Sequence, residues 1–139
     1  MDPDNPVIRL CADGMSAETA GRTDEAQGLF EQAWAIATDD YERCVAAHYV
    51  ARHQDGPELT LQWNEECLRC AELVGDQRVA GFYPSLYLNI GHSYEQLGDR
   101  QRAEEGYRAA EEHLAVLPEG PYGDTVRDGV ARGLERLRT

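Results

Sequence analysis

Gly91 narrows the fold of this chain more than any other residue. Tyr87, Ile90, Gly91 and Tyr94 follow the spacing aromatic-x-x-aliphatic-glycine-x-x-tyrosine. Ala103, Tyr107 and Ala110 come after an intervening Leu97-Gly98-Asp99. Residues three and four apart are neighbours on a helix, so each set falls on one face. Leu97-Gly98-Asp99 reads as a turn, with Asp99 capping the second helix. Two helices packed against each other are therefore expected. Gly91 lets them approach, Tyr94 fills the space beside it, and Ala103 is small where they cross. Tyr107 plugs the gap towards the next element.

Earlier copies lie upstream. Leu10, Gly14, Gly21, Ala26, Phe30 and Ala33 fall at matching offsets, with Asp13 and Ala17 departing from the aliphatic and tyrosine positions. Thr23 is the expected N-cap there, with Asp24 and Glu25 placed to favour the helix dipole. A shift of 34 residues carries Ala26, Phe30 and Ala33 onto Thr60, Asn64 and Cys67. The first helix of that middle copy puts Cys44, Ala47, His48 and Ala51 at packing positions, and Asp55-Gly56-Pro57 marks its turn. A shift of 43 links it to the Gly91 copy, leaving nine extra residues around 74–82. A lengthened helix or a longer connection is expected there. In the tail, Val126, Val130, Leu134 and Leu137 share one helical face, while Arg127, Arg132, Arg136 and Arg138 lie off it.

The run 84–118 resembles the tetratricopeptide repeat, whose signature is W-x2-L-G-x2-Y followed by A-x3-F. Tyrosine replaces the tryptophan and the phenylalanine, and Pro118 falls later than the usual closing proline. The resemblance covers roughly residues 7–118. It implies an all-α, TPR-like helical hairpin solenoid forming a single domain over 1–139. Three hairpins are expected at about 7–37, 40–74 and 79–117, with a capping helix at 122–138, giving seven helices. The capping helix follows the rule that repeat arrays need a terminal element with a polar outer side. The family consists mainly of protein-interaction scaffolds, whose first helices line a concave face. That arrangement implies a groove floored by Met15, Val45 and Leu88 and carrying Tyr49, Arg52, His53, Asn89, His92 and Gln96. Tyrosine and arginine are common anchors of such surfaces.

Composition sets the remaining bounds. The chain has 139 residues, 42% of them hydrophobic, enough for a packed core. No apolar run reaches the length of a membrane span, and the acidic, polar start does not read as a secretory signal, so a cytoplasmic location is expected. Net charge is −13. Residues 1–80 hold 16 acids against 6 arginines, and residues 81–139 hold 10 against 7. Such a field repels phosphate backbones and argues against nucleic acid. It serves solubility or a basic partner. All 13 basic residues are arginine, which removes any lysine nucleophile or Schiff base.

No catalytic constellation is readable, and no enzyme activity, cofactor or metal is expected. Cys67-Leu68-Arg69-Cys70 is a CxxC, but it lies inside a helix on a face with Trp63 and Val74. Redox pairs sit at helix N-termini, so these cysteines read as core residues. Zinc would need a second ligand pair. His48 occupies a packing position, whereas His53 and His92 face the expected groove and could tune binding with pH. The adjacent pairs Glu65-Glu66, Glu104-Glu105 and Glu111-Glu112 point apart and cannot share a reacting atom. The expected function is therefore a protein- or peptide-interaction module. One alternative is a self-associating homodimer through a first helix exposing Ile8, Cys11 and Met15. The other is a thiol or metal protein acting through Cys67 and Cys70.

Overall fold

A computed structural model describes residues 2–138. All regular structure among these residues is helical. The helices are α1 (Pro6–Thr19), α2 (Thr23–Ile36), α3 (Asp40–Val50), α4 (Pro57–Val74), α5 (Gln77–Ala80), α6 (Tyr83–Gln96), α7 (Arg100–Glu112) and α8 (Pro121–Arg136). Single 3-10 turns follow α3 at Ala51–His53 and α7 at Leu114–Val116. None of the described helices is long and apolar enough to cross a membrane. The chain divides into two compact units, with the boundary between Gly75 and Asp76. The seven expected helices are present. The eighth, α5, lies in the nine-residue excess, where Asp76 caps it by accepting from Arg78 N and Val79 is buried.

In the first unit, Asn5 starts α1. Its Oδ1 accepts from the backbone N–H groups of Val7 at 2.8 Å and Ile8 at 3.3 Å. Pro6 follows at a helical position that has no free N–H to satisfy. Val7, Ile8, Cys11, Gly14 and Ala17 form the buried stripe of α1. Ile8 and Cys11 therefore belong to the core. Of the three residues expected to expose an apolar end, only Met15 is exposed. The chain turns at Gly21, whose φ of 81° is open to glycine at no steric cost. The α2 cap position is Arg22 and not Thr23, which already lies inside the helix, while Asp24 and Glu25 occupy the first turn.

Phe30 of α2 is fully buried over Gly14. A Cβ at Gly14 would lie 2.3 Å from the ring. Helix α3 packs against α1, α2 and α4. Cys44, Val45, Ala46, Ala47, Tyr49 and Val50 are consequently all buried. In the α3–α4 hairpin the large and small positions are exchanged. His48 stands where Gly14 and Gly91 stand elsewhere, and Asn64 stands where the aromatic stands. Asn64 is fully buried, donating from Nδ2 to the Thr60 carbonyl at 3.0 Å. His48 is half-buried with its Nδ1 sealed from solvent.

The second unit repeats the first hairpin. A shift of 77 residues carries Gly14, Gly21, Ala26, Phe30 and Ala33 onto Gly91, Gly98, Ala103, Tyr107 and Ala110. Gly98 makes the turn with φ 82°, and Asp99 caps α7 by accepting from Arg102 N at 3.1 Å. Helices α6 and α7 approach glycine to glycine: a Cβ at Gly106 would meet Gly91 Cα at 2.7 Å. Tyr107 is held from both sides. A Cβ at Gly91 would be 2.9 Å from its ring, and one at Gly133 of α8 would be 2.6 Å from it. Val126 and Val130 of α8 are buried, and Leu134 and Leu137 are half-buried. The side away from that face carries the exposed ion pairs Arg132–Asp128 (3.0 Å) and Arg138–Glu135 (3.3 Å).

Candidate functional site

The residues expected to line a groove divide between the two units, and each set has its own geometry. In the first unit they gather at the end of α1 and the 3-10 turn after α3. Glu18 lies in the last turn of α1, with its side chain 13% exposed. Arg52 donates from Nε to Glu18 Oε2 at 3.0 Å, and His53 Nε2 bonds the same oxygen. Both partners follow the C-terminus of α3, where cationic groups are favoured. Rings back this cluster. Phe30 stacks on Tyr49 at 5.3 Å and on His53 at 6.2 Å, and the Arg52 guanidinium sits 5.9 Å from the Tyr49 centroid.

This geometry corrects two expectations. Val45 is fully buried and Tyr49 is 8% exposed, so neither lines a groove. The cause is the coverage of α3 by three helices, which turns residues beside its packing stripe into core. Arg52 and His53 are accessible, but both are committed to Glu18. Met15 is 37% exposed.

In the second unit the matching carboxylate is Glu95, 77 residues after Glu18. Arg136 of α8 grips it with two bonds, Nε to Oε2 at 2.8 Å and Nη2 to Oε1 at 3.0 Å. Tyr107 donates its hydroxyl to Oε1 at 2.6 Å. The Arg136 fork pulls the Glu95 carboxyl down to about 2, opposed by partial burial and helped by the Tyr107 hydroxyl. Burial, together with the anionic neighbour Glu95, pushes the Tyr107 hydroxyl up to about 12. His92 and Gln96 on α6 are exposed, Asn89 is half-buried, and half-buried Leu88 packs towards Gly129, where a Cβ would meet it at 3.0 Å.

The two carboxylates serve as ties between helices. Glu95 has its oxygens filled by donors and holds no proton near neutrality, which removes it as a general acid. The thiols are equally reticent. All four cysteines are free and buried. Burial pushes Cys11 up to about 12 and Cys70 up to about 11. The hydrogen bond with Cys44, with burial behind it, raises Cys67 further. The CxxC therefore lies in the core, as its helical face implies. Among the described residues, no group of three or more His, Cys, Asp or Glu is placed to hold a metal ion.

Glu18, Glu95 and Arg136 were not among the expected site residues. The signal available was the 77-residue recurrence of the glutamate, each copy followed 34 or 41 residues later by its arginine. No protein-family model matches the chain, and no curated protein or solved structure matches it.

Proposed function

We propose that the chain is a protein- or peptide-binding module built from tetratricopeptide-like helical hairpins. The observation that carries this reading is recurrence. The hairpins α1–α2 and α6–α7 close on the same glycine–aromatic contact, and each ends its first helix in a glutamate tied to a later helix by arginine. Such repetition spends sequence on a regular, rigid frame, and rigid frames suit recognition because little ordering is left to do on binding.

The accessible members of the expected surface are Met15, Arg52 and His53 on the first unit and Asn89, His92 and Gln96 on the second. Within the first unit, buried Tyr49 lies beneath the Arg52 guanidinium and buried Phe30 beneath His53. The charge of −13 favours a partner segment rich in arginine or lysine.

The test is quantitative affinity capture from the native lysate with wild type and two variants, Met15→Ala/Arg52→Ala and His92→Ala/Gln96→Ala. Each variant is first checked for unchanged helicity and a cooperative melt. A specific partner should fall about tenfold with at least one variant, which is the loss expected from removing one anchor of about 1.4 kcal/mol. Identical partner sets for all three folded proteins would refute these surfaces as the binding face.

A further inference from the structure

Helices α3 and α4 of the first unit hold a sulfur pair that neither the fold nor the binding reading uses. Cys44 Sγ and Cys67 Sγ lie 3.8 Å apart, both fully buried, on the two facing helices of one hairpin. The Cys67 thiol also donates to the Cys44 carbonyl at 3.3 Å. Cys44 Sγ faces Cys67 Sγ, whereas Cys70 Sγ meets the Glu66 carboxylate and the Arg69 guanidinium, each at 3.8 Å.

We propose that Cys44 and Cys67 are a disulfide-forming pair that fastens α3 to α4 when the protein meets a peroxide. The sulfurs need close only from 3.8 Å to the bonded length of about 2.0 Å, a movement within reach of the two χ1 torsions and a small helix adjustment. The chemistry balances as two thiols plus hydrogen peroxide giving one disulfide and two waters. One sulfur, as thiolate, attacks a peroxide oxygen; the O–O bond breaks, and a sulfenic acid and one water result. The second sulfur then attacks the sulfenic sulfur, the S–O bond breaks, and the second water leaves with the remaining thiol proton. Each sulfur loses one electron and peroxide gains two. Because both sulfurs are sealed from solvent and so from peroxide, reaction runs through opening of the α3–α4 hairpin, so the pair responds to sustained oxidant and stays reduced under a brief exposure. The product bridges residues 23 positions apart and restrains the unfolded chain accordingly.

The sequence makes the test direct. Cleavage after arginine at 43, 52, 69 and 78 places Cys11, Cys44, Cys67 and Cys70 on four different peptides. The intact chain is incubated with hydrogen peroxide at pH 8, treated with catalase, denatured in the presence of iodoacetamide, and mapped without reduction. The expected result is peptide 44–52 joined to peptide 53–69, alkylation retained at Cys11 and Cys70, and reversal by dithiothreitol. The oxidised monomer should melt roughly 5–10 °C higher than the reduced one. Cys44→Ala should abolish the link and Cys11→Ala should keep it. Alkylation of all four cysteines after prolonged exposure, a Cys67–Cys70 link, or cross-linked oligomers would each overturn the proposal. The wild-type map decides even if a variant fails to fold.

Discussion

Alanine in place of glycine should have opposite effects at two helical positions of the first unit. Gly28 in α2 has open space where its Cβ would go. Gly28→Ala should therefore gain the ordinary helix-propensity difference, about 0.5–1 kcal/mol, and raise Tm by roughly 2–4 °C. Gly14 has the same propensity to gain. There, however, the added Cβ would sit 2.3, 2.7 and 2.9 Å from three carbons of the Phe30 ring. The ring cannot retreat easily, since it is fully buried and stacked on Tyr49 and His53. Overpacking of this kind costs about 3 kcal/mol, which leaves a net loss of about 2 kcal/mol after the propensity gain. Tm should fall by roughly 6–10 °C. Denaturant melts of the three proteins measure both signs, and Phe30→Leu supplies the control. If the clash is the cause, the loss from Gly14→Ala should shrink by at least about 1 kcal/mol in the Phe30→Leu background. A Gly14→Ala protein as stable as wild type, or losses that simply add in the double variant, would refute the reasoning.

Three further outcomes are expected. Glu95 is held at about 2 in the folded protein against its ordinary 4.5, so its stabilisation is complete above pH 4.5 and drains away as pH falls towards 2. With the Arg136 side chain about half exposed, the amount is about 1–2 kcal/mol, and Glu95→Gln should flatten that part of the acid melt. Burial and the nearby Arg52 hold His48 down to about 4, so the unfolded chain takes up its proton first and stability drops as pH falls from 6.5 to 4. His48→Gln should remove that slope in pH-dependent unfolding, whereas an unchanged slope would assign it elsewhere. Asn5→Ala removes a cap with two backbone bonds and the 2.9 Å bond from Nδ2 to Glu42, and should cost about 1–2 kcal/mol in denaturant unfolding.

Periodicity made the helices legible because it records which face of a helix is buried. Gly14, Phe30, Gly91 and Tyr107 were legible as packing positions, but which ring covers which glycine was not: Tyr94 was expected beside Gly91, whereas Tyr107 meets Gly91 as well as Gly133 of the next helix. The short turn at α5 was legible only as an excess of length, since four residues carry no period. Val45 and Tyr49 were misplaced because a periodic stripe gives one buried face, while α3 is covered by three neighbours. The arginine clasps were missed for a different reason. Whether Arg52 reaches Glu18, or Arg136 reaches Glu95, depends on how far one helix is rotated against another, and spacing along one helix does not contain that angle.

The clasps at Glu18 and Glu95 both use guanidinium, and at Glu95 it is the sole cation described, since all 13 basic residues of this sequence other than histidine are arginine. A guanidinium keeps its charge at any pH a cell reaches. At Glu95, alkali therefore cannot loosen the tie from the cationic side, whereas protonation of the carboxylate can. Nor can acetyl transfer or ubiquitin conjugation to side-chain amines discharge or tag the surface, because it presents no ε-amine. Covalent adjustment of its side-chain electrostatics falls instead to hydroxyls, thiols, carboxyls, imidazoles or the guanidinium groups themselves.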